Sequence, residues 1–194
     1  MKKFLFAAVF LFAGILIGAA PTPKTKVIAD FNSQSHNNLG GKFGELTPNP
    51  KEQVYVCVHM FDSAQKTEGN ASLRLMYNVN KSGAFNGFWM KLGPSDASVL
   101  DAVPYRDLVF WLRGDAKLGI PTRFKIELKS GHQIAGYDVS NIGSEWKEVR
   151  IPLKEFADKG LPLNTLTELT ILFEERSAAP ATRGAINIDL IALE

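Results

Sequence analysis

From residue 26 onward the chain is a succession of short runs in which apolar and polar side chains alternate, at 26–31, 54–60, 72–79, 86–93, 106–114, 122–130, 133–140, 145–153, 166–174 and 185–193. Neighbouring side chains of an extended backbone point to opposite faces, so this period belongs to half-buried strands and not to helices. Clusters of Gly, Asn, Ser and Pro separate the runs and supply turns. The pattern predicts an all-β fold, a β-sandwich. Its one helical candidate, LKEFADKG at 153–160, is barely two turns long and serves as a connector.

The same alternation divides each run into two faces. In 106–114, Leu108, Phe110 and Leu112 share one face while Val109, Trp111 and Arg113 share the other. In 122–130, Phe124, Ile126 and Leu128 lie opposite Arg123, Lys125, Glu127 and Lys129. The first set of each is core. The second sets mix a flat aromatic ring with charged hydrogen-bonding groups, which a merely solvated face has little reason to do. A sugar suits such a face, because its axial C–H groups pack on a ring and its hydroxyls take partners such as guanidinium and carboxylate. The expected ligand site is a shallow groove of Trp111, Arg113, Lys125 and Glu127, joined by Trp89 and Lys91 of 86–93 and Tyr137 of 133–140. The alternative is that a loop covers the aromatics and the charges pair with one another.

Lys2 and Lys3 precede an unbroken apolar run from Phe4 to Ala20 that ends in small residues, the pattern of a secretory leader. Cleavage after Ala19 gives a leader at 1–19, a linker at 20–26 and one domain at 27–194. The alternative, a retained anchor, meets a run just short of the ~18–20 residues that a spanning helix needs. The formal net charge of +2 is that of the two leader lysines alone. A domain with balanced charge lacks the basic surface that nucleic-acid binding requires. The reading is thus an exported protein, secreted or periplasmic, off the membrane once the leader is cut. The single cysteine, Cys57, falls inside an alternating run and reads as a small buried hydrophobe.

Catalytic patterns do not appear. His36, His59 and His132 stand in separate segments without ligand-like spacing, and there is no GxSxG elbow, P-loop or GxGxxG. Glycoside hydrolysis needs a carboxylate pair at a set separation. Glu174 and Glu175 are adjacent, so an extended strand would send them to opposite faces. A metal site is the better candidate: Asp30 ends the first run, Asp189 lies in the last, and loops rich in Asn supply the oxygen donors that calcium prefers.

In order, the segments VIADFNSQSHNNLGG, EGNASLRLMYNV, GAFNGFWMKLG, YRDLVFWLRGD, FKIELKS, SEWKEVRIPLKEF, LTELTILFEE and GAINIDLIAL resemble the galactose-binding-like jelly roll. They are most similar to the group holding carbohydrate-binding module family eleven and the complex I intermediate-associated protein thirty family. The resemblance covers nearly all of residues 26–194. It implies two antiparallel sheets, one of them concave and carrying a polysaccharide or oligosaccharide in the carbohydrate-binding members, without catalysis. It also implies a structural Ca2+ near the joined ends of the first and last strands, in the neighbourhood of Asp30, Asn32, Asn70 and Asp189. Asn32 stands where an acid is usual in the group, which lowers the negative charge there. The assembly-factor branch implies a second kind of partner, another envelope protein.

Overall fold

The computed structural model describes residues 25–48 and 54–194, so the expected leader and most of the linker lie outside the described residues. The strands are β1 (Lys26–Ala29), β2 (Phe43–Leu46), β3 (Cys57–Asp62), β4 (Ser72–Asn78), β5 (Phe85–Lys91), β6 (Asp107–Gly114), β7 (Arg123–Ser130), β8 (Gln133–Ser140), β9 (Lys147–Pro152), β10 (Glu168–Glu174) and β11 (Arg183–Leu193). Two single-turn helices, α1 (Lys154–Ala157) and α2 (Glu175–Ala178), and a 3-10 turn at Leu163–Thr165 complete the elements of the described residues. All ten expected runs contain a strand. The one addition is β2, whose sequence FGEL holds a glycine and only weak alternation.

The strands pair antiparallel in two sheets. Sheet I has the order β3-β4-β11-β6-β9, with β1 also on β11; sheet II has the order β2-β5-β10-β7-β8. On one side of β11, β4 pairs along residues 183–188 and β1 along 191–193, while β6 takes the other side. The core lies between the sheets. Leu73, Leu75, Tyr77, Leu108, Phe110, Leu112, Ile186 and Ile188 come from sheet I, and Phe88, Met90, Phe124, Ile126, Leu128, Leu169, Ile171 and Phe173 from sheet II; all are buried. Each such side chain contributes about 1.5–3 kcal/mol by leaving water. One contact ties the layers directly: the Tyr77 and Phe173 rings stack at 4.3 Å and 9°, and Tyr77 Oη donates to the Ala181 carbonyl at 2.7 Å. Burial pushes the Tyr77 phenol pKa up, so it remains a donor.

β11 departs from strict alternation. Its register against β6 slips between Asp189 and Ala192, with Leu190 at φ 48°. This bulge inserts one residue, so Ile188 and Ile191 both face the core although they are three apart in sequence. At the β2–β3 edge, the His59 ring packs on Phe43, Phe61 and Phe88 at 5.9, 5.9 and 5.4 Å. Its Nδ1 pairs with the Glu45 carboxylate, closing the edge between the sheets. Cys57 is buried, as its place in the run implies.

Phe173 meets both Tyr77 and Phe124 and has no exposed surface. Phe173→Ala is expected to lower unfolding free energy by about 3–5 kcal/mol, the usual cost of emptying an aromatic core position. Urea denaturation followed by tryptophan fluorescence measures it; a loss under 1 kcal/mol would show that this stack does not couple the sheets.

Candidate functional site

The pairing registers decide which outward side chains can meet. On sheet II, Trp89 lies opposite Thr170, Thr170 opposite Glu127, and Glu127 opposite Gly136, with Gly44 of β2 opposite Trp89. One row of the outer face therefore reads Gly44, Trp89, Thr170, Glu127, Gly136. The next row along the strands brings together Lys91, Glu168, Lys129 and Ile134. On the other side stand Gly87, Leu172, Lys125 and Asp138.

This corrects the groove expected from the sequence. Trp111 pairs with Asp189 and Glu148, and Arg113 with Asn187, all on sheet I. Lys125, Glu127 and Trp89 belong to sheet II. Trp111 and Arg113 thus occupy the opposite outer surface of the sandwich, because the chain crosses from one sheet to the other between β6 and β7. Tyr137 also differs from expectation. It lies opposite Ile126, which is buried, so its ring is directed inward and packs against the core. Arg113 is engaged as well, its guanidinium donating to the Gln65 side chain.

The sheet II face is an ordered set of charges around an aromatic ring. Glu168 accepts from Lys91 at 3.0 Å and also from Lys129. Burial raises the Glu168 pKa, but the hydrogen bonds and charges of Lys129 and Lys91 outweigh it and hold the carboxyl below its usual range. Lys125 Nζ lies 3.0 Å from Glu174 Oε2. Its desolvation is outweighed by Glu174, Glu127 and Asp138, which hold it charged. Glu127 itself has no hydrogen-bond or ion-pair partner among the described residues. Its carboxylate is available to accept from a ligand.

Trp89 supplies the apolar surface. A Cβ added to Gly44 would stand 3.3–3.4 Å from three atoms of the indole, so the ring lies over the bare backbone of β2. Lys91 Nζ is 5.9 Å from the centroid of the same ring. A cavity of about 180 Å³ adjoins it, lined by Lys42, Trp89, Lys91, Ser95 and Asp96 among others. Alternation placed Trp89, Lys125 and Glu127 outward. It could not reveal Glu168, Thr170 and Gly44 as their neighbours, because only strand pairing sets them side by side.

The residues given for calcium do gather at one junction. Ala29, at the end of β1, pairs with Ile191 beside the β11 bulge. Asp189 Oδ2 accepts from Thr67 N and Oγ1, each at 2.8 Å, and its Oδ1 from Leu190 N at 2.9 Å. Asn32 Oδ1 accepts from Asn70 N at 2.5 Å. Asp30 accepts from Asn32 N at 3.0 Å and Asn38 Nδ2 at 2.9 Å. Lys66 Nζ donates to the Asn70 carbonyl at 3.2 Å. Calcium takes six to eight oxygens; the side-chain oxygens of Asp30, Asn32 and Asp189 each accept a hydrogen bond here. No group of three or more His, Cys, Asp or Glu among the described residues could hold a metal ion. The junction carries direct hydrogen bonds among these groups.

The described residues thus form a two-layer antiparallel sandwich whose sheet II face sets the Trp89 indole and the Glu127 carboxylate in one row. The comparisons define the class. Residues 32–191 match the model for carbohydrate binding domain 30, and the chain belongs to that family. In solved structures the fold resembles the family 11 carbohydrate-binding module from Clostridium thermocellum in complex with a β-1,3-1,4-mixed-linked tetrasaccharide (TM-score 0.56, 15% identity, 89% of this chain and 96% of that one). It also resembles the family 30 module of the cellulosomal cellulase Cel9D-Cel44B of the same organism (TM-score 0.59, 16% identity, 88% and 97%). A third match is to a β-1,2-glucanase from Parabacteroides distasonis (TM-score 0.56, 13% identity, 89% of this chain but 25% of that one). At these identities the likeness is one of fold. No curated protein sequence is significantly similar to the chain.

Two predictions follow from this geometry. Asp189→Ala is expected to lower stability by about 1–3 kcal/mol for each orphaned donor; urea denaturation measures it, and a loss under about 1 kcal/mol would refute the hydrogen-bonded junction. Glu168 has a depressed folded pKa, so its stabilisation is present above the unfolded value of 4.5 and lost as pH falls through the lower folded one. Melts between pH 7 and 3 should therefore show a shallower acid-side decline in Glu168→Gln than in the wild type.

Proposed function

We propose that this chain is an exported, noncatalytic glycan-binding protein that holds a β-glucan on the outer face of sheet II. The observation that carries the reading is the Trp89 indole laid over Gly44, in one row with the unpartnered carboxylate of Glu127. A pyranose ring stacks its C–H face on the indole, and its hydroxyls reach Glu127 and the lysines of the flanking rows. Membership in a carbohydrate-binding family supports the ligand class. The β-glucan assignment draws on the fold relatives, one with a mixed-linked tetrasaccharide and one named as a β-1,2-glucanase.

The electrostatics favour holding over cleaving. A glycosidase acid needs its pKa raised so that it carries a proton at neutral pH. Glu168, less exposed than Glu174 and Asp138 of this face, has its pKa lowered by two lysines. Glu174 is paired with Lys125, and Asp138 lies 4.0 Å from Arg123. Export rests on the leader read at residues 1–19.

Affinity electrophoresis in gels containing mixed-linked β-glucan tests the reading. The wild type is expected to be retarded, and Trp89→Ala to bind at least about tenfold more weakly, a change of ~1.4 kcal/mol. Trp111→Ala, altered on the other sheet, should migrate as the wild type does. Equal retardation of Trp89→Ala and wild type would remove the platform.

A further inference from the structure

The outer face of β5 carries a second ring. Phe85 stands four residues before Trp89, so both point to the same side of one strand, about 13 Å apart at the rise of an extended chain. Phe85 is 42% exposed, unusual for a phenylalanine in a strand of this sandwich. Between the two rings stands Gly87. A Cβ there would lie 2.0 Å from the Ile171 carbonyl oxygen, so the position has no room for a side chain. Beside it lies the Leu172 side chain, 7% exposed. The strand thus presents ring, bare backbone and ring in sequence.

Each end of this lane opens into a hollow. Past Trp89 is the cavity lined by Lys42 and Ser95. Past Phe85 is one of about 320 Å³ between the β4–β5 turn and α2, lined by Ser82, Phe85, Glu174, Glu175 and Arg176 among others. The second hollow is framed by hydrogen bonds from Glu175 N to the Ala84 carbonyl at 3.0 Å and from Gly83 N to Glu175 Oε2 at 3.3 Å. Arg176 is exposed and has no ion-pair partner among the described residues.

We infer that the glycan chain runs along β5, with one sugar on Trp89 and a later sugar of the same chain on Phe85 against the α2 hollow. This rests on the glucan reading above and adds the direction of the chain and a second subsite. The spacing of the rings exceeds one pyranose, so a single sugar cannot touch both. An apolar ring exposed on the same face, in line with the platform and with only Gly87 between them on the outward side of the strand, is explained by a ligand long enough to reach it. Arg176 and Glu175 supply a donor and an acceptor for hydroxyls there.

Isothermal titration with a mixed-linked β-glucan tetrasaccharide and with the corresponding disaccharide separates the two subsites. The wild type is expected to bind the tetrasaccharide about tenfold more tightly than the disaccharide. Phe85→Ala should erase that gain and leave disaccharide affinity unchanged, Phe85→Tyr should keep it, and Trp89→Ala should weaken both ligands. A Phe85→Ala protein that binds the tetrasaccharide as the wild type does, while Trp89→Ala fails, overturns the lane and leaves the glucan reading standing. Absence of wild-type binding to either ligand overturns both. Far-UV circular dichroism confirms that the exposed-site variants are folded.

Discussion

The double pairing of β10 governs the rest of the molecule. This strand joins β5 and β7 in registers that set Thr170 beside Trp89 on one side and Glu127 on the other. A slip of one residue would exchange every inward and outward side chain. Two unlike forces oppose it. Leu169, Ile171 and Phe173 are buried, with Phe173 stacked on Tyr77 of the facing sheet. On the other face Glu168 is gripped by Lys91 and Lys129, one from each neighbouring strand. Apolar packing fixes which face looks in. The paired lysines fix how far the strand slides.

The two outer surfaces are put to different uses. On sheet I the connection between β3 and β4 folds back against the strands. Ser72 Oγ donates to the Gln65 carbonyl, Asp189 receives Thr67, and Arg113 donates to the Gln65 side chain. Arg74 bonds Asn187 and Asp115, and Asn187 reaches both Asp62 and Ser72. Asn187 and Asp189 are buried by this arrangement. Polar groups so enclosed must satisfy one another, and having done so they have little left for a ligand. Sheet II keeps its charges in rows at the surface and leaves Glu127 without a hydrogen bond or close ion pair among the described residues.

Parity was legible in the sequence, and partnership was not. Alternation placed Trp111 and Arg113 outward, as the structure has them, and the strand runs were nearly complete. What alternation cannot report is the sheet to which a strand belongs. β6 and β7 are consecutive, yet their outward faces look in opposite directions across the sandwich. Tyr137 is a different case. Ala135 and Val139 share its parity in the run 133–140 and are both buried, so that run itself held the signal that the ring turns inward. At Leu190 the bulge resets the alternation, which no fixed period anticipates.

The shape of the sheet II face depends on side chains that are missing as much as on those present. At Gly44 any Cβ would press on the Trp89 indole, and at Gly87 it would strike the backbone of β10. Glycine in a strand interior costs roughly 0.5–1 kcal/mol relative to alanine, so each of these positions carries a penalty in conformational entropy. At Gly87 the close approach of β10 accounts for that cost, since nothing larger fits between the strands. At Gly44 the indole needs the bare backbone beneath it to lie low against the sheet. The bareness of the face along this lane is therefore written into the backbone of β2 and β5, and along β5 the rings of Trp89 and Phe85 are left as its apolar relief.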